Sequence, residues 1–167
     1  GFESYPLEYQ GKRVVLFEVS EDALYEIDRE MRSVVANLAN LNGETPEIVQ
    51  VLGSVLDKAL VHRVIKDHGI QTIYHAAAYK HVPIVQKNVA VGFTNNTLGT
   101  IIVADAAEVL GVERFVLIST DKAVRPSSLM GASKRLAEMA LQARAATPDQ
   151  KTILTMVRFG NVLDSSG

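Results

Sequence analysis

The sequence has no cysteine, no apolar run as long as a membrane span and no excess of basic side chains. The lack of cysteine excludes disulfide scaffolds and thiolate-zinc sites, and nothing points to an oxidising compartment. A membrane helix needs about 20 consecutive apolar residues. With 17 basic against 19 acidic side chains and a formal net charge of −2, the chain has no surplus cations to neutralise phosphates, so no nucleic-acid partner is expected.

The composition is that of a folded domain. Of 167 residues, 47% are hydrophobic and 22% are charged, which is enough apolar material for a substantial core and excludes intrinsic disorder as the default. The first residues, GFESYPLEYQGKR, mix charges and aromatics and do not resemble a signal peptide, so a cytoplasmic location is expected. We find no repeats or linkers and expect one domain over residues 1–167.

Short β-rich segments alternate with amphipathic ones along the chain. Helices are predicted after Ser20, between Asp57 and Gly69, and over residues 89–110 and 129–145. Strands are predicted over residues 13–18, 48–52, 71–76, 114–119 and 152–157. Strands separated by helices of this length imply βαβ units with right-handed crossovers. The predicted fold is therefore α/β, with a doubly wound, mostly parallel Rossmann-type sheet.

The first predicted helix has clear local signals. Ser20 is a plausible N-cap, and Glu21 and Asp22 lie in the first turn, where negative charge is favourable. A loop is expected over residues 40–46. Apolar residues recur at helical spacing and predict one buried face, formed by Ala23, Leu24, Ile27, Met31, Val34, Val35 and Leu38.

In a sheet of this kind, ligands bind beyond the carboxyl ends of the strands. Glu18 ends the first strand, where it either accepts hydrogen bonds from ribose hydroxyls or is a solvated carboxylate. Three alanines, Ala76, Ala77 and Ala78, follow the third strand and either leave room for a dinucleotide or allow close helix packing. His75 and His81 lie nearby without a third ligand, so no metal site is expected.

The densest polar cluster, Ser119-Thr120-Asp121-Lys122, ends the fourth strand. It offers a hydroxyl, a proton donor and a base, provided that burial moves the carboxyl and amine pKa values toward neutrality. The alternative is a loop cap with a local Asp–Lys pair. On the next helix, Met130 and Lys134 are four residues apart and share a face, which by itself indicates one core and one surface residue.

Four segments together resemble one family: HAAAYKHVP at 75–83, NNTLGT at 95–100, STDKAVRPSSLMGASKRLAE at 119–138 and VRFGNVLDSSG at 157–167. The sequence is similar to the CapD-like polysaccharide-biosynthesis proteins, which are nucleotide-sugar 4,6-dehydratases of the extended short-chain dehydrogenase/reductase superfamily. The similarity covers nearly all of the chain from Arg13 onward, and the pairing of TDK with MGASK is its most specific part. HAAAYKHVP resembles the long, membrane-anchored branch in particular.

The resemblance implies an NAD-dependent lyase acting on a UDP-N-acetylhexosamine. Oxidation at C4 acidifies the C5 proton, water is eliminated across C5 and C6, and hydride returns to C6 to leave a 4-keto-6-deoxy sugar. By similarity, Lys122 is the C5 base, Asp121 the acid and Thr120 the hydroxyl that binds the C4 oxygen. Lys134 would hold the nicotinamide ribose.

The resemblance also implies binding residues. The expected cofactor-binding set is Glu18, Val55, Ala76, Ala77, Ala78, Asn96 and Lys134. Lys80 and Asn161 are the expected substrate-binding residues, with Asn161 near the sugar diphosphate. A homo-oligomer is expected, and membrane attachment only through segments outside this chain, at the inner face of the plasma membrane.

The sequence departs from the wider superfamily pattern at two positions. Met130 stands in place of the superfamily tyrosine, so the proton of the C4 hydroxyl must leave by Asp121, Thr120, water or another tyrosine such as Tyr79. Ser54 replaces the usual acidic residue of the Gly53-Ser54-Val55 segment, which puts an adenine contact there in doubt.

A dinucleotide site needs a first strand and a glycine-rich turn that brings backbone N–H groups to the pyrophosphate. Residues 1–11 contain no such loop, so we expect the 167 residues to be a partial NAD-binding domain, largely without a substrate domain and inactive alone. Unpaired strand edges would favour association with another chain. The alternatives are a nucleotide-sugar epimerase or dehydrogenase, or a non-catalytic assembly fragment.

Overall fold

The computed structural model describes residues 12–42 and 45–160, with side chains described outside residues 38–42. Contacts divide the chain into two compact units, residues 1–53 and 54–167. The expectation of one domain stays a prediction.

The first unit is a βαβ element. Strand β1 (Arg13–Glu18) leads into helix α1 (Glu21–Asn42), and β2 (Glu47–Leu52) pairs with β1 in parallel, with Arg13 opposite Glu47 and Glu18 opposite Leu52. The predicted N-cap is confirmed, because the Ser20 hydroxyl accepts a hydrogen bond from Ala23 N at 3.3 Å. The predicted loop over residues 40–46 begins too early, since α1 continues to Asn42.

The buried face of α1 is narrower than predicted. Leu24 and Val35 are buried as expected, but Ile27 and Val34 are 44% and 50% exposed. Asp28 takes a buried position on the helix instead, and its carboxylate accepts a hydrogen bond from Arg32 Nε at 2.8 Å. The apolar pattern did not predict the burial of Asp28. A carboxylate can be buried at this position because Arg32, one helical turn later, forms an ion pair with it.

The second unit contains three parallel strands and most of the helices. Its elements are α2 (Lys58–His68), β3 (Thr72–His75), α3 (Val82–Lys87), α4 (Val89–Phe93), a π-helical turn (Thr94–Leu98), α5 (Gly99–Val109), β4 (Arg114–Thr120), a 3₁₀ turn (Asp121–Ala123), α6 (Leu129–Ala145) and β5 (Ile153–Phe159). The strand order is β3-β4-β5. Asp57 caps α2 through Leu60 N, and Gly69 ends it at φ 58°, as predicted.

The core of the second unit lies between β4 and the helices packed on it. Phe115 and Leu117 of β4, Ala104 and Ala107 of α5, and Leu141 of α6 are all buried. The sequence did not predict α3 or the π-helical turn within residues 89–110. The π turn is a single turn between α4 and α5, whereas the apolar pattern predicts one continuous helix over residues 89–110.

Among residues 12–42 and 45–160, β1 is hydrogen bonded to β2 alone and β3 to β4 alone. Each therefore has one edge without a strand partner in this part of the chain. No helix within the same residues is long and apolar enough to cross a bilayer.

Candidate functional site

The polar cluster at the end of β4 forms a short capped turn. Thr120 Oγ1 accepts a hydrogen bond from Lys122 N at 3.3 Å and donates one to Asp121 Oδ1 at 3.1 Å. Thr120 is half-buried, whereas Asp121 and Lys122 are exposed. The cap of the loop-cap alternative is therefore present, while Asp121 and Lys122 are not buried in this structure.

The N-terminal end of α6 lies directly against this turn. Ser128 caps the helix, because its hydroxyl accepts a hydrogen bond from Gly131 N at 3.1 Å. A Cβ atom on Gly131 would overlap the carbonyl oxygen of Lys122 and lie 3.2 Å from Pro126 Cβ. Only glycine allows α6 to approach the Lys122 backbone this closely.

Lys134 lies on α6 and is buried against the carboxyl end of β4. Its Nζ donates a hydrogen bond to the carbonyl oxygen of Ile118 at 2.8 Å, two residues before Thr120. Burial lowers the pKa of Lys134 to about 8, although the carboxylate of Glu138 acts in the opposite direction. Met130 is buried one turn earlier, so the expectation of a core residue at 130 is confirmed and that of a surface lysine at 134 is wrong. The sequence did not predict the burial of Lys134, because the acceptor of its hydrogen bond, the carbonyl oxygen of Ile118, belongs to a different element.

The carboxyl end of β3 lies beside the part of β4 that contains Ile118. His75 is in register with Leu117, so Ala76 begins next to Ile118. The three residues 76–78 have no regular secondary structure, with Ala76 exposed and Ala77 and Ala78 half-buried. A stretch of small side chains therefore follows β3 beside the strand whose Ile118 carbonyl oxygen binds Lys134.

His75 itself is a buried neutral imidazole. Thr100 Oγ1 gives its proton to the carbonyl oxygen of Asn96 at 2.7 Å, so His75 Nε2–H must be the donor in the 3.0 Å bond to Thr100 Oγ1. The ring also stacks on Phe115 with centroids 5.7 Å apart. Burial, assisted by the positive charge of Lys134, lowers the pKa of His75 to about 3.

Asn96, in the π-helical turn, ties the segment after β3 to α6. Its Oδ1 accepts from Tyr79 N at 2.7 Å and from Asn95 Nδ2 at 3.3 Å. Its Nδ2 donates to Tyr79 O at 3.1 Å and to Ser133 Oγ at 3.0 Å. The buried amide therefore makes the four hydrogen bonds available to it and links the segment after β3 to α6.

The structure adds a residue that the sequence reasoning missed, Glu138. It is buried on α6, and its carboxylate accepts hydrogen bonds from Ser119, Arg158 and Arg135. These donors hold the pKa of Glu138 at about 2, against the opposing effect of burial. Its position four residues after Lys134, on the same helix face, was the available signal.

Four candidates remain: Glu18, Val55, Lys80 and Asn161. Glu18, in the first unit, accepts hydrogen bonds at Oε1 from Val19 N at 2.8 Å and Ser20 N at 3.0 Å. Val55 is buried, and a Cβ on Gly99 would lie 2.8 Å from its Cγ2. Lys80 is exposed. Asn161 lies outside the described residues.

The histidines raised as possible metal ligands are not close to further ligands. His75 is engaged with Thr100, and His81 is exposed at the start of α3. Within the described ranges, no three histidine, aspartate or glutamate side chains lie close enough to hold a metal ion.

Curated relatives match most of the chain. It is 40% identical to the capsular polysaccharide biosynthesis protein CapD of Staphylococcus aureus over 159 residues, which is 95% of this chain and 25% of CapD. It is also 40% identical to a UDP-glucose 4-epimerase of Rickettsia felis over 101 residues, 60% of this chain and 30% of the epimerase. The chain thus spans a quarter to a third of the length of these relatives.

Solved structures share the fold. Pen from Bacillus thuringiensis superposes with a TM-score of 0.76 at 28% identity, covering 91% of this chain and 43% of Pen. DesIV, a dTDP-glucose 4,6-dehydratase from Streptomyces venezuelae crystallised with NAD, has a TM-score of 0.67 at 21% identity, covering 86% of this chain and 54% of DesIV. The predicted Rossmann-type α/β fold is confirmed.

A family model agrees with these relatives over almost the full sequence. The model described as polysaccharide biosynthesis protein matches residues 4–167. That range includes the turn at the end of β4, the buried Lys134 and the Asn96 network. The chain therefore belongs to the polysaccharide biosynthesis protein family.

Proposed function

We propose that this chain supplies the NAD-binding part of a UDP-N-acetylhexosamine 4,6-dehydratase that serves surface polysaccharide or glycan synthesis. The observation that carries the proposal is the position of Thr120, Asp121 and Lys122. Thr120 ends β4 two residues after Ile118, whose carbonyl oxygen binds the buried ammonium of Lys134, and Asp121 and Lys122 follow in the turn. A hydroxyl, an acid, a base and a cofactor-side cation are thereby gathered at the carboxyl end of one strand, where this fold binds ligands.

The residues present fit a dinucleotide. Lys134 uses one N–H on Ile118 O, and an ammonium has three, so donors remain for ribose hydroxyls. The small side chains at 76–78 let a flat group approach the backbone next to β4. Taken by itself in the first unit, Glu18 stays a proposed ribose contact, because Val19 N and Ser20 N both donate to its Oε1 and Oε2 can still accept. When bound, NAD would accept hydride from C4 and return it at C6.

The side chains of the β4 turn suit the elimination. Once C4 is a ketone, the C5 proton is acidic enough for the Lys122 amine to remove it. Asp121 gives its proton to the C6 hydroxyl as the C6–O bond breaks and one water leaves, and the proton on Lys122 returns to C5 when hydride arrives at C6. The proton released from the C4 hydroxyl makes up the one that Asp121 gave. The Thr120 hydroxyl would hold the C4 oxygen. The exposure of Asp121 and Lys122 implies that bound substrate supplies the burial these groups need.

The binding roles of the other candidates follow from their positions. Asn96 would act through the Tyr79 segment that it fixes, and Val55 through its backbone. Lys80 and Asn161 remain the proposed substrate contacts. Homo-oligomer formation and membrane attachment through other segments stay predictions.

An epimerase is the main rival, favoured by the match to the Rickettsia enzyme. Both reactions remove the proton of the C4 hydroxyl, which Met130 cannot accept, but only the dehydratase also needs Lys122 as the C5 base. In the dehydratase, the proton of the C4 hydroxyl would leave through Asp121, Thr120, water or Tyr79, and Tyr79 is 46% exposed.

The decisive experiment incubates the full-length protein that carries this chain with NAD and UDP-N-acetylglucosamine or its galacto epimer. A 4-keto-6-deoxy product, one water lighter than the substrate, is expected by mass spectrometry. Lys122→Ala should lower turnover at least a hundredfold, whereas Lys58→Ala, at an exposed lysine on α2, should not change it. A product of unchanged mass would support the epimerase, and full activity of Lys122→Ala would end the dehydratase assignment.

A further inference from the structure

A single buried carboxylate joins α6 to the ends of two strands. Glu138 Oε1 accepts from Ser119 Oγ at 2.8 Å and from Arg158 Nε at 2.8 Å, while Oε2 accepts from Arg158 Nη2 at 2.7 Å. Ser119 belongs to β4, Arg158 to β5 and Glu138 to α6. We call these three residues the carboxylate clamp.

The clamp acts at one level of the sheet. Ser119 and Arg158 are register partners on adjacent parallel strands, and the next pair along is Thr120 with Phe159. Thr120 begins the turn that carries Asp121 and Lys122. The clamp therefore holds the last but one register pair of β4 and β5, one residue before Thr120.

The same helix carries Lys134 one turn before Glu138. Lys134 Nζ binds Ile118 O, and Glu138 binds the hydroxyl of the following residue, Ser119. Two consecutive residues of β4 are thus held by side chains from one face of α6. A shift of Ser119 would alter the spacing between Lys134 and the turn at Thr120.

We propose that Glu138 is a positioning residue that sets the Thr120–Lys122 turn relative to Lys134. The proposal rests on the proposed dehydratase function and extends it to a residue that touches neither cofactor nor substrate. A misplacement of about 1 Å can cost about a hundredfold in rate, so a clamp directly behind the turn affects the chemical step more than substrate binding.

The test removes the hydrogen bond between Ser119 and Glu138 and keeps the ion pair between Glu138 and Arg158. Replacement of Glu138 would leave Arg158 without its partner and risks unfolding, whereas Ser119→Ala deletes only the bond to β4. Arg135→Gln is the matched control, because Arg135 Nη1 donates to the same carboxylate at 3.0 Å but lies on α6 and reaches neither strand. Both variants are made in the full-length protein, with kcat and KM for UDP-N-acetylhexosamine and amide hydrogen exchange at Lys122 as readouts.

We expect Ser119→Ala to lower kcat at least tenfold with KM within about twofold, and to speed exchange of the Lys122 amide. Arg135→Gln should leave kcat and exchange near the wild-type values. Equal kcat and equal exchange in both variants would overturn the positioning role. If the wild-type protein forms no 4-keto-6-deoxy product, the proposed function fails, and the exchange of the Lys122 amide still decides whether Glu138 orders the turn.

Discussion

Gly131 on α6 lies against the backbone of Lys122, with no room for a methyl group between them. The contact is with a carbonyl group rather than a flexible side chain, so it cannot be relieved by a change of rotamer. This approach brings the N-terminal end of α6 onto the turn that carries the proposed acid and base. Backbone shape at one glycine therefore determines where the turn lies.

Gly131→Ala should destabilise the protein by about 1–3 kcal/mol through overpacking, despite the better helix propensity of alanine. Gly99→Ala is the matched comparison, because its added Cβ would meet Val55 Cγ2 at 2.8 Å. Val55→Ala should rescue Gly99→Ala in equilibrium denaturation. A Gly131→Ala protein as stable as the wild type would contradict the close approach.

Lys134→Met should separate cofactor binding from folding. Since burial lowers the pKa of Lys134 to about 8, its charge is held less favourably in the folded protein than in water. In the full-length protein that carries this chain, we therefore expect the variant to have an unchanged or higher melting temperature at pH 7. Its NAD affinity, measured by calorimetry, should be at least tenfold weaker. Lys66→Met, at an exposed lysine, is the control. Loss of folding together with binding would make Lys134 structural.

The stability of the protein at alkaline pH gives a second test of the lowered pKa of Lys134. Between pH 8 and its ordinary pKa of 10.5, the unfolded chain keeps a proton that the folded protein has lost. The free energy of unfolding should therefore gain a positive contribution as pH rises through this range. The Lys134→Met protein should lack that contribution.

His75 should make the protein sensitive to mild acid. Its pKa is lowered from 6.5 to about 3, so below pH 6.5 the unfolded chain takes up a proton that the buried ring does not. This residue alone should reduce the free energy of unfolding by at most about 1.4 kcal/mol per pH unit. His75→Gln retains a donor and should flatten the profile between pH 6.5 and 5, while His62→Gln, at an exposed ring, should not.

Asn96→Asp should be costly because every polar atom of the buried amide is used. The substitution places a carboxylate oxygen against Tyr79 O, where Nδ2 now donates at 3.1 Å. We expect a loss of at least ~2 kcal/mol in chemical denaturation. Asn88→Asp is the matched control, since Asn88 Nδ2 also donates to a carbonyl, Ile84 O at 3.0 Å, but is exposed. Equal losses in the two variants would contradict the buried network.

Local sequence signals located most of the regular elements. The strand at Arg13–Glu18 and the helix at Leu129–Ala145 have the predicted ends, and Ser20, Asp57 and Gly69 begin or end their helices as expected. These features depend on side chains that contact backbone within a few residues. The apolar pattern alone did not identify which positions of α1 are buried. Asp28 is buried because its carboxylate is hydrogen bonded to Arg32, and an apolar pattern does not include such a pair.

The sequence by itself determined the parallel α/β fold and the strand ends at which polar residues collect. Only the tertiary structure decided that Lys134, Glu138 and Asn96 are buried, since their partners Ile118, Arg158 and Tyr79 come from other elements. Burying a charge or an amide is favourable only when distant groups complete its hydrogen bonds. Periodicity reports which face a residue lies on, and it carries no information about partners that the fold brings from elsewhere in the chain.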